Sequence, residues 1–200
     1  YSNGKFKKDQ DNCKKSLFAP NGEKVLMHIS NFRKVKRIQD VIKIHSIVSK
    51  KISTRLILIG DGPERSSMER LAREEGVEET TYFLGKIKET EKALCLADVY
   101  LMTSETESFG VSALEAMASG VPVISSNTCG IPEVNSHAET GFLSQVGDVD
   151  DMAKNLMNLL SDSKLYKRLS LNAFKKAKQF NISNVLPVYE SLYNELLLKL

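Results

Sequence analysis

Val99-Tyr100-Leu101-Met102 is a short apolar run, and Thr103-Ser104-Glu105-Thr106-Glu107-Ser108-Phe109 follows it. Next come Gly110 to Ser119, then Gly120, then Val121-Pro122-Val123-Ile124. The apolar runs read as buried strands. Gly110 to Ser119 reads as a helix stopped by Gly120. A strand, a helix and a second strand in that order make a parallel pair with a crossover.

The pattern extends outward in both directions. Upstream, Val25 to Ile29 reads as a strand and Ile38 to Lys50 as an amphipathic helix. Leu56 to Ile59 is a strand ended by Gly60-Asp61-Gly62-Pro63, and Pro63 opens a helix to about Glu75. Thr81 to Leu84 is a strand, followed by a short helix at Glu89 to Leu96. Downstream, a helix entered at Pro132 precedes a last strand at Gly141 to Leu143. From Val149 onward the chain reads as helix, broken near Asp162 and Asn181. Continuous apolar strands are covered on both faces. The expected fold is α/β: a Rossmann-like, doubly wound parallel sheet of about six strands with C-terminal helices.

Composition is consistent with one globular domain over residues 1–200: 42% hydrophobic, 26% charged, Gly 11 and Pro 5. Lys+Arg 28 against Asp+Glu 25 leaves +3, too mild to point to nucleic acid. Lys5, Lys7, Lys8, Lys14 and Lys15 cluster near the start, and Lys164, Lys167, Arg168, Lys175, Lys176 and Lys178 near the end. Both clusters read as solvated faces. The cysteines, Cys13, Cys95 and Cys129, are too far apart for a metal knuckle and fit a reducing compartment. No secretion signal opens the chain, so a cytoplasmic location is expected and membrane association is not. His28, His45 and His137 are scattered and read as structural, with no metal-ligand spacing.

In a doubly wound sheet the chemistry belongs to the turns after the strands. The first, Ser30-Asn31-Phe32-Arg33-Lys34-Val35-Lys36-Arg37, is rich in cations suited to phosphate. The second, Gly60-Asp61-Gly62-Pro63, lacks the third glycine of a dinucleotide fingerprint and reads as a tight turn. The fourth leads into the helix that carries Glu115. Ser108 is the expected N-cap, Glu107 stands at the mouth, and Glu115 is expected about two turns into the helix. That helix start favours an anion. Glu107 beside it suits sugar hydroxyls or developing positive charge on a sugar carbon.

These segments together resemble a known family. Glu107 to Glu115 (ESFGVSALE) is similar to the two-glutamate signature of retaining glycosyltransferases of the GT-B fold, family four. GDGPE at Gly60, FLG at Phe83, LEAMASGVPVI at Leu114 and GIPEV at Gly130 fit the same family in the same order. Ile29 to Val41 resembles the branch that moves N-acetylglucosamine from UDP-GlcNAc to L-malate in bacillithiol biosynthesis. The resemblance implies the donor-binding C-terminal half of a two-domain bacterial enzyme, inactive without an absent N-terminal, acceptor-binding half. It implies Glu107, Arg33 and Lys36 as catalytic. It places Asn31, Lys86, Ile87, Ser108, Phe109, Gly110, Val111 and Glu115 on the donor, with Lys86 and Ile87 bordering the uracil. No metal and no bound cofactor are implied, only a nucleotide-sugar co-substrate. Two positions depart from the family pattern. Asn31, not Arg33, stands five residues before Lys36, where many members have Arg; and Cys129-Gly130 replaces Gly-Gly. Other readings are a family member acting on a lipid or polysaccharide, an epimerase on the same fold, or a non-catalytic nucleotide-sugar module. A homo-oligomer stays open. The last helix, from Val185 to Leu200, is too apolar for one exposed face, so Leu192 and Leu196 are expected to lack a full partner surface.

Overall fold

In the computed structural model, residues 15–197 are described. Lys5, Lys7, Lys8, Cys13, Lys14 and Leu198 lie outside the described residues, as does the side chain of Leu196. Six strands form one sheet: β1 (Lys24–Ile29), β2 (Thr54–Ile59), β3 (Thr81–Gly85), β4 (Val99–Met102), β5 (Val123–Ser126) and β6 (Gly141–Ser144). Their order is β3-β2-β1-β4-β5-β6, with every neighbouring pair parallel. The helices are α1 (Ile38–Ser49), α2 (Arg65–Glu74), α3 (Thr90–Leu94), α4 (Val111–Ala118), α5 (Ile131–Val134), α6 (Val149–Ser161), α7 (Ser163–Gln179) and α8 (Ile182–Leu197).

Strand alternation sorts the core into two layers. Leu26, Leu56, Leu58, Val99 and Leu101 pack with α1 and α6 on one face. Met27, Ile57, Ile59, Tyr100 and Met102 pack with α4, α5 and α7 on the other. Each fully buried aliphatic side chain contributes roughly 1.5–3 kcal/mol, so both layers resist exposure.

Three boundaries differ from the sequence reading. Helix α2 begins at Arg65, because the Glu64 amide donates to the Phe32 carbonyl at 3.0 Å and holds Pro63-Glu64 in a turn. Strand β5 begins at Val123, two residues after Val121. Helix α4 begins at Val111 with Gly110 as its N-cap and no side-chain cap, so Ser108 does not cap it. Glu115 therefore sits little more than one turn into the helix.

The break at Asp162 is a cap: its carboxylate accepts from the amides of Lys164 and Leu165. Lys164, Lys167, Arg168, Lys175 and Lys178 of α7 are exposed, as expected of a solvated face. Among the described residues no helix is long and apolar enough to cross a membrane.

On α8, Leu192 is 51% and Tyr193 61% exposed, so the expectation for Leu192 holds. Replacing both by Ser is expected to leave thermal unfolding within about 0.5 kcal/mol of the parent chain. A loss of several kcal/mol would mean that this face is packed in solution.

Candidate functional site

The strand order reverses between β1 and β4, and crevices at such a switch point bind ligands. The β1–β4 ladder pairs Leu26 with Val99 and Met27 with Tyr100. Beyond it, side chains join the strands. The Tyr100 hydroxyl donates to the Ile29 carbonyl (3.1 Å) and accepts from the Ile29 amide (3.2 Å). Burial drives its phenol well above the ordinary pKa, against the opposing effect of a hydrogen bond with Ser112. The His28 imidazole meets the Leu101 carbonyl at 2.9 Å. A cleft of about 390 Å³ opens here. Ile29, Ser30, Asn31 and Lys36 line it from the β1 side; Glu107, Val111, Ser112 and Glu115 line it from the β4 side.

The basic turn after β1 is fastened to the turn after β4. Fully buried Thr103 donates its hydroxyl to the carbonyls of Lys36 and Arg37, both at 3.0 Å. The Glu105 amide donates to the Val35 carbonyl at 2.8 Å. Arg37 takes a left-handed backbone conformation (φ 49°) and pairs with buried Asp40 at 2.6 Å. With both turns anchored, Lys36 Nζ lies 2.5 Å from Glu107 Oε2 across the cleft. Each side chain is about one-fifth exposed, so the pair is desolvated on one side and open to a ligand on the other.

The turn into α4 ends on Gly110 at φ 89°, a conformation suited to glycine. No side chain caps the helix, so its first-turn amides are left without a side-chain acceptor, and Val111 and Ser112 of that turn line the cleft, where such amides suit an anion. Half-buried Glu115 has its carboxyl pushed up, chiefly by burial and secondarily by the charge of Glu91. The loop after β5 braces this turn. Thr128 donates to the Glu105 carbonyl, the Gly130 amide donates to the Glu107 carbonyl, and a Cβ at Gly130 would lie 2.1 Å from the Ser108 carbonyl oxygen. Exposed Cys129 adopts φ 47°, and its thiol is lowered by contact with the Thr128 hydroxyl and by a Glu107 backbone group.

Of the residues expected from sequence, Asn31, Lys36, Glu107, Val111 and Glu115 line the cleft. Arg33 is exposed and outside the lining. Lys86 and Ile87 lie after β3, also outside it, with Ile87 packed on the core. Ser108 and Gly110 shape the turn without lining the cleft, and the Phe109 ring packs edge-on against Phe180 at 5.4 Å. Ile29, Ser30 and Ser112 are lining residues that sequence reasoning did not single out. For Ser30 a signal existed: it lies two residues after His28 at a strand end, hence on the same side. Among the described residues no cluster of three His, Cys, Asp or Glu gathers that could hold a metal.

A six-stranded doubly wound sheet with a cationic, two-glutamate cleft at its switch point is one half of a GT-B fold. Residues 9–176 match the family model for glycosyl transferases group 1, and the chain belongs to that family. Over 193 residues it is 39% identical to N-acetyl-alpha-D-glucosaminyl L-malate synthase of Bacillus anthracis, covering 96% of this chain and 51% of that protein. Its fold is shared with sucrose-phosphate synthase from Thermosynechococcus elongatus (TM-score 0.85, 25% identity, 96% of this chain and 49% of that one). It is also shared with an Anabaena protein in complex with UDP and glucose (TM-score 0.82, 23% identity, 93% and 53%). The chain thus spans about half the length of the malate synthase.

Proposed function

We propose that this chain is the donor-binding half of a retaining glycosyltransferase that moves N-acetylglucosamine from UDP-GlcNAc to L-malate, completed by an N-terminal half that carries the malate. The observation that carries the reading is the convergence of Lys36, the uncapped start of α4, Glu107 and Glu115 on one cleft at the switch point. The 39% identity to the malate synthase supports the donor sugar and the acceptor. The UDP-bound Anabaena structure supports the nucleotide. In this reading Glu115 accepts from ribose hydroxyls and Glu107 faces the donor sugar. Lys36 and the α4 amides bear the charge that grows on the leaving diphosphate, and no metal ion is invoked. The sugar C1–phosphate oxygen bond breaks while the malate hydroxyl oxygen bonds to C1 on the same face. The malate proton passes to the departing diphosphate oxygen, giving UDP and the α-glycoside.

Because Lys36 lines the cleft and Arg33 does not, the two cations are expected to differ. In calorimetric titration of this chain with UDP, Lys36→Ala should weaken binding roughly 30- to 100-fold, the scale of a lost charge-assisted contact. Arg33→Ala should cost much less. Glu107→Gln releases Lys36 from its ion pair, so it should keep UDP binding while lowering turnover in the two-domain enzyme. Preference of the parent chain for GDP or ADP over UDP would overturn the donor assignment.

A further inference from the structure

We propose that Ser30 is a hydrogen-bond acceptor for a hydroxyl or N–H group of the nucleotide sugar, and that buried His28 is the positioning residue that makes it so. This rests on the reading of the cleft as a nucleotide-sugar site. The roles follow from a chain of contacts. The Leu101 carbonyl can only accept, so His28 Nδ1, at 2.9 Å, carries the proton. His28 is 1% exposed, and burial keeps the ring neutral. Its Nε2 therefore holds a bare lone pair, and Ser30 Oγ, at 2.8 Å, must donate to it.

The Ser30 hydrogen is thus committed inward, while Ser30 lines the cleft. Its backbone cannot turn away. The Ser30 amide donates to the Ile59 carbonyl at 3.0 Å, and its own carbonyl lies against Gly60. What Ser30 offers a ligand is lone pairs only. An anionic oxygen would be repelled there, whereas a ligand hydroxyl or N–H would be bound. The cleft is divided accordingly: Lys36 and the α4 start take the diphosphate, and Ser30 joins the glutamates in taking ligand donors. In effect, His28 acts on the ligand through Ser30.

The test uses the 200-residue chain. Nitrogen-15 correlation of the histidine side chains at neutral pH is expected to show His28 as the neutral Nδ1–H tautomer; an Nε2–H tautomer or an imidazolium would overturn the proposal without reference to any ligand. Calorimetry then measures UDP-GlcNAc binding to the parent chain, Ser30→Ala, His28→Phe and the double variant. Each single change is expected to weaken binding roughly tenfold, the scale of one hydrogen bond. The double variant is expected to be no weaker than the weaker single, because both remove the same contact. Additive losses would show that His28 does not act through Ser30. A parent chain that binds while both single variants bind equally well would remove the role of Ser30 and leave the nucleotide-sugar reading standing. A parent chain that binds neither UDP-GlcNAc nor UDP would remove that reading, and the ligand role of Ser30 with it. Should His28→Phe fail to fold, Ser30→Ala and the tautomer still decide the matter.

Discussion

Lowering the pH from 8 to about 4 is expected to destabilise this chain by about 6 kcal/mol, through two buried histidines. His28 and His45 are 1% and 0% exposed, and burial pulls each down to about 4 from the ordinary 6.5. His45 is held between Thr80 (2.9 Å) and Thr54 (3.2 Å). Thr80 gives its hydrogen to the Val77 carbonyl, so it accepts from Nε2–H, and Nδ1 accepts from Thr54. A second proton would meet only a hydroxyl that must turn round, Ser30 for His28 and Thr54 for His45, with no carboxylate to offset the buried charge. Between pH 4 and 6.5 the unfolded chain binds protons at these two sites and the folded chain does not. Stability therefore rises with pH across that window; the contribution is complete well above 6.5 and mostly lost by about 4. Glu115 has the opposite sign: its raised carboxyl is protonated more readily when folded, which offsets part of the loss. Glu23, held down to about 2 chiefly by Arg55, adds a loss that begins in the ordinary carboxylate range and grows as the pH falls further. A loss of this size rivals the whole stability of an ordinary domain. Urea unfolding followed from pH 8 to 4.5 should show a flat plateau and then a steady fall. A flat profile down to pH 4.5 would refute the assignment, and a folded His45 variant should lose about half of the slope.

The architecture was legible because each strand carries a continuous apolar run and each crossover an amphipathic or glycine-stopped helix. The two layers of the sheet require nothing else. The site was legible where its side chains stand on turns that follow strands, as Asn31, Lys36, Glu107 and Glu115 do. It was illegible where tertiary contacts decide. Four cations crowd the first turn, and spacing cannot say which one faces inward. Lys36 is selected because Thr103 and Glu105 pin the backbone at residues 35–37. Likewise, Ser108 has the chemistry of an N-cap, but Gly130 packs against its carbonyl and the helix starts two residues later than such a cap requires. His28 reads correctly as a buried residue from its place in a strand. Its hold on Ser30 depends on where the Leu101 carbonyl lies across the sheet, which local pattern does not record.

Gly60→Ala is expected to cost about 3 kcal/mol or more of stability and to weaken UDP-GlcNAc binding as well. By sequence the Gly60-Asp61-Gly62 turn looks like a failed dinucleotide fingerprint, and in the structure it never lines the cleft. Its work is to support the turn that does. Gly60 sits at φ 125°, a conformation that side chains rarely adopt, and an added Cβ would lie 1.8 Å from the Ser30 carbonyl oxygen. Strain and overlap each cost about 1–3 kcal/mol, and here both apply. Relief requires Ser30 to move, because the Gly60 amide is itself tied to the Gly85 carbonyl at 2.8 Å. Moving Ser30 breaks its bond to His28 and withdraws it from the ligand. At Gly62 the backbone is unstrained and the overlap is milder, 2.7 Å to the Phe32 carbonyl oxygen. Gly62→Ala should therefore cost about 1–2 kcal/mol, from overlap alone. Urea unfolding of the two variants should separate them by at least about 1 kcal/mol, and calorimetry should show the larger affinity loss for Gly60→Ala. Equal stability losses would mean that the turn yields without moving Ser30. Equal affinities would mean that Ser30 can shift without consequence for the ligand.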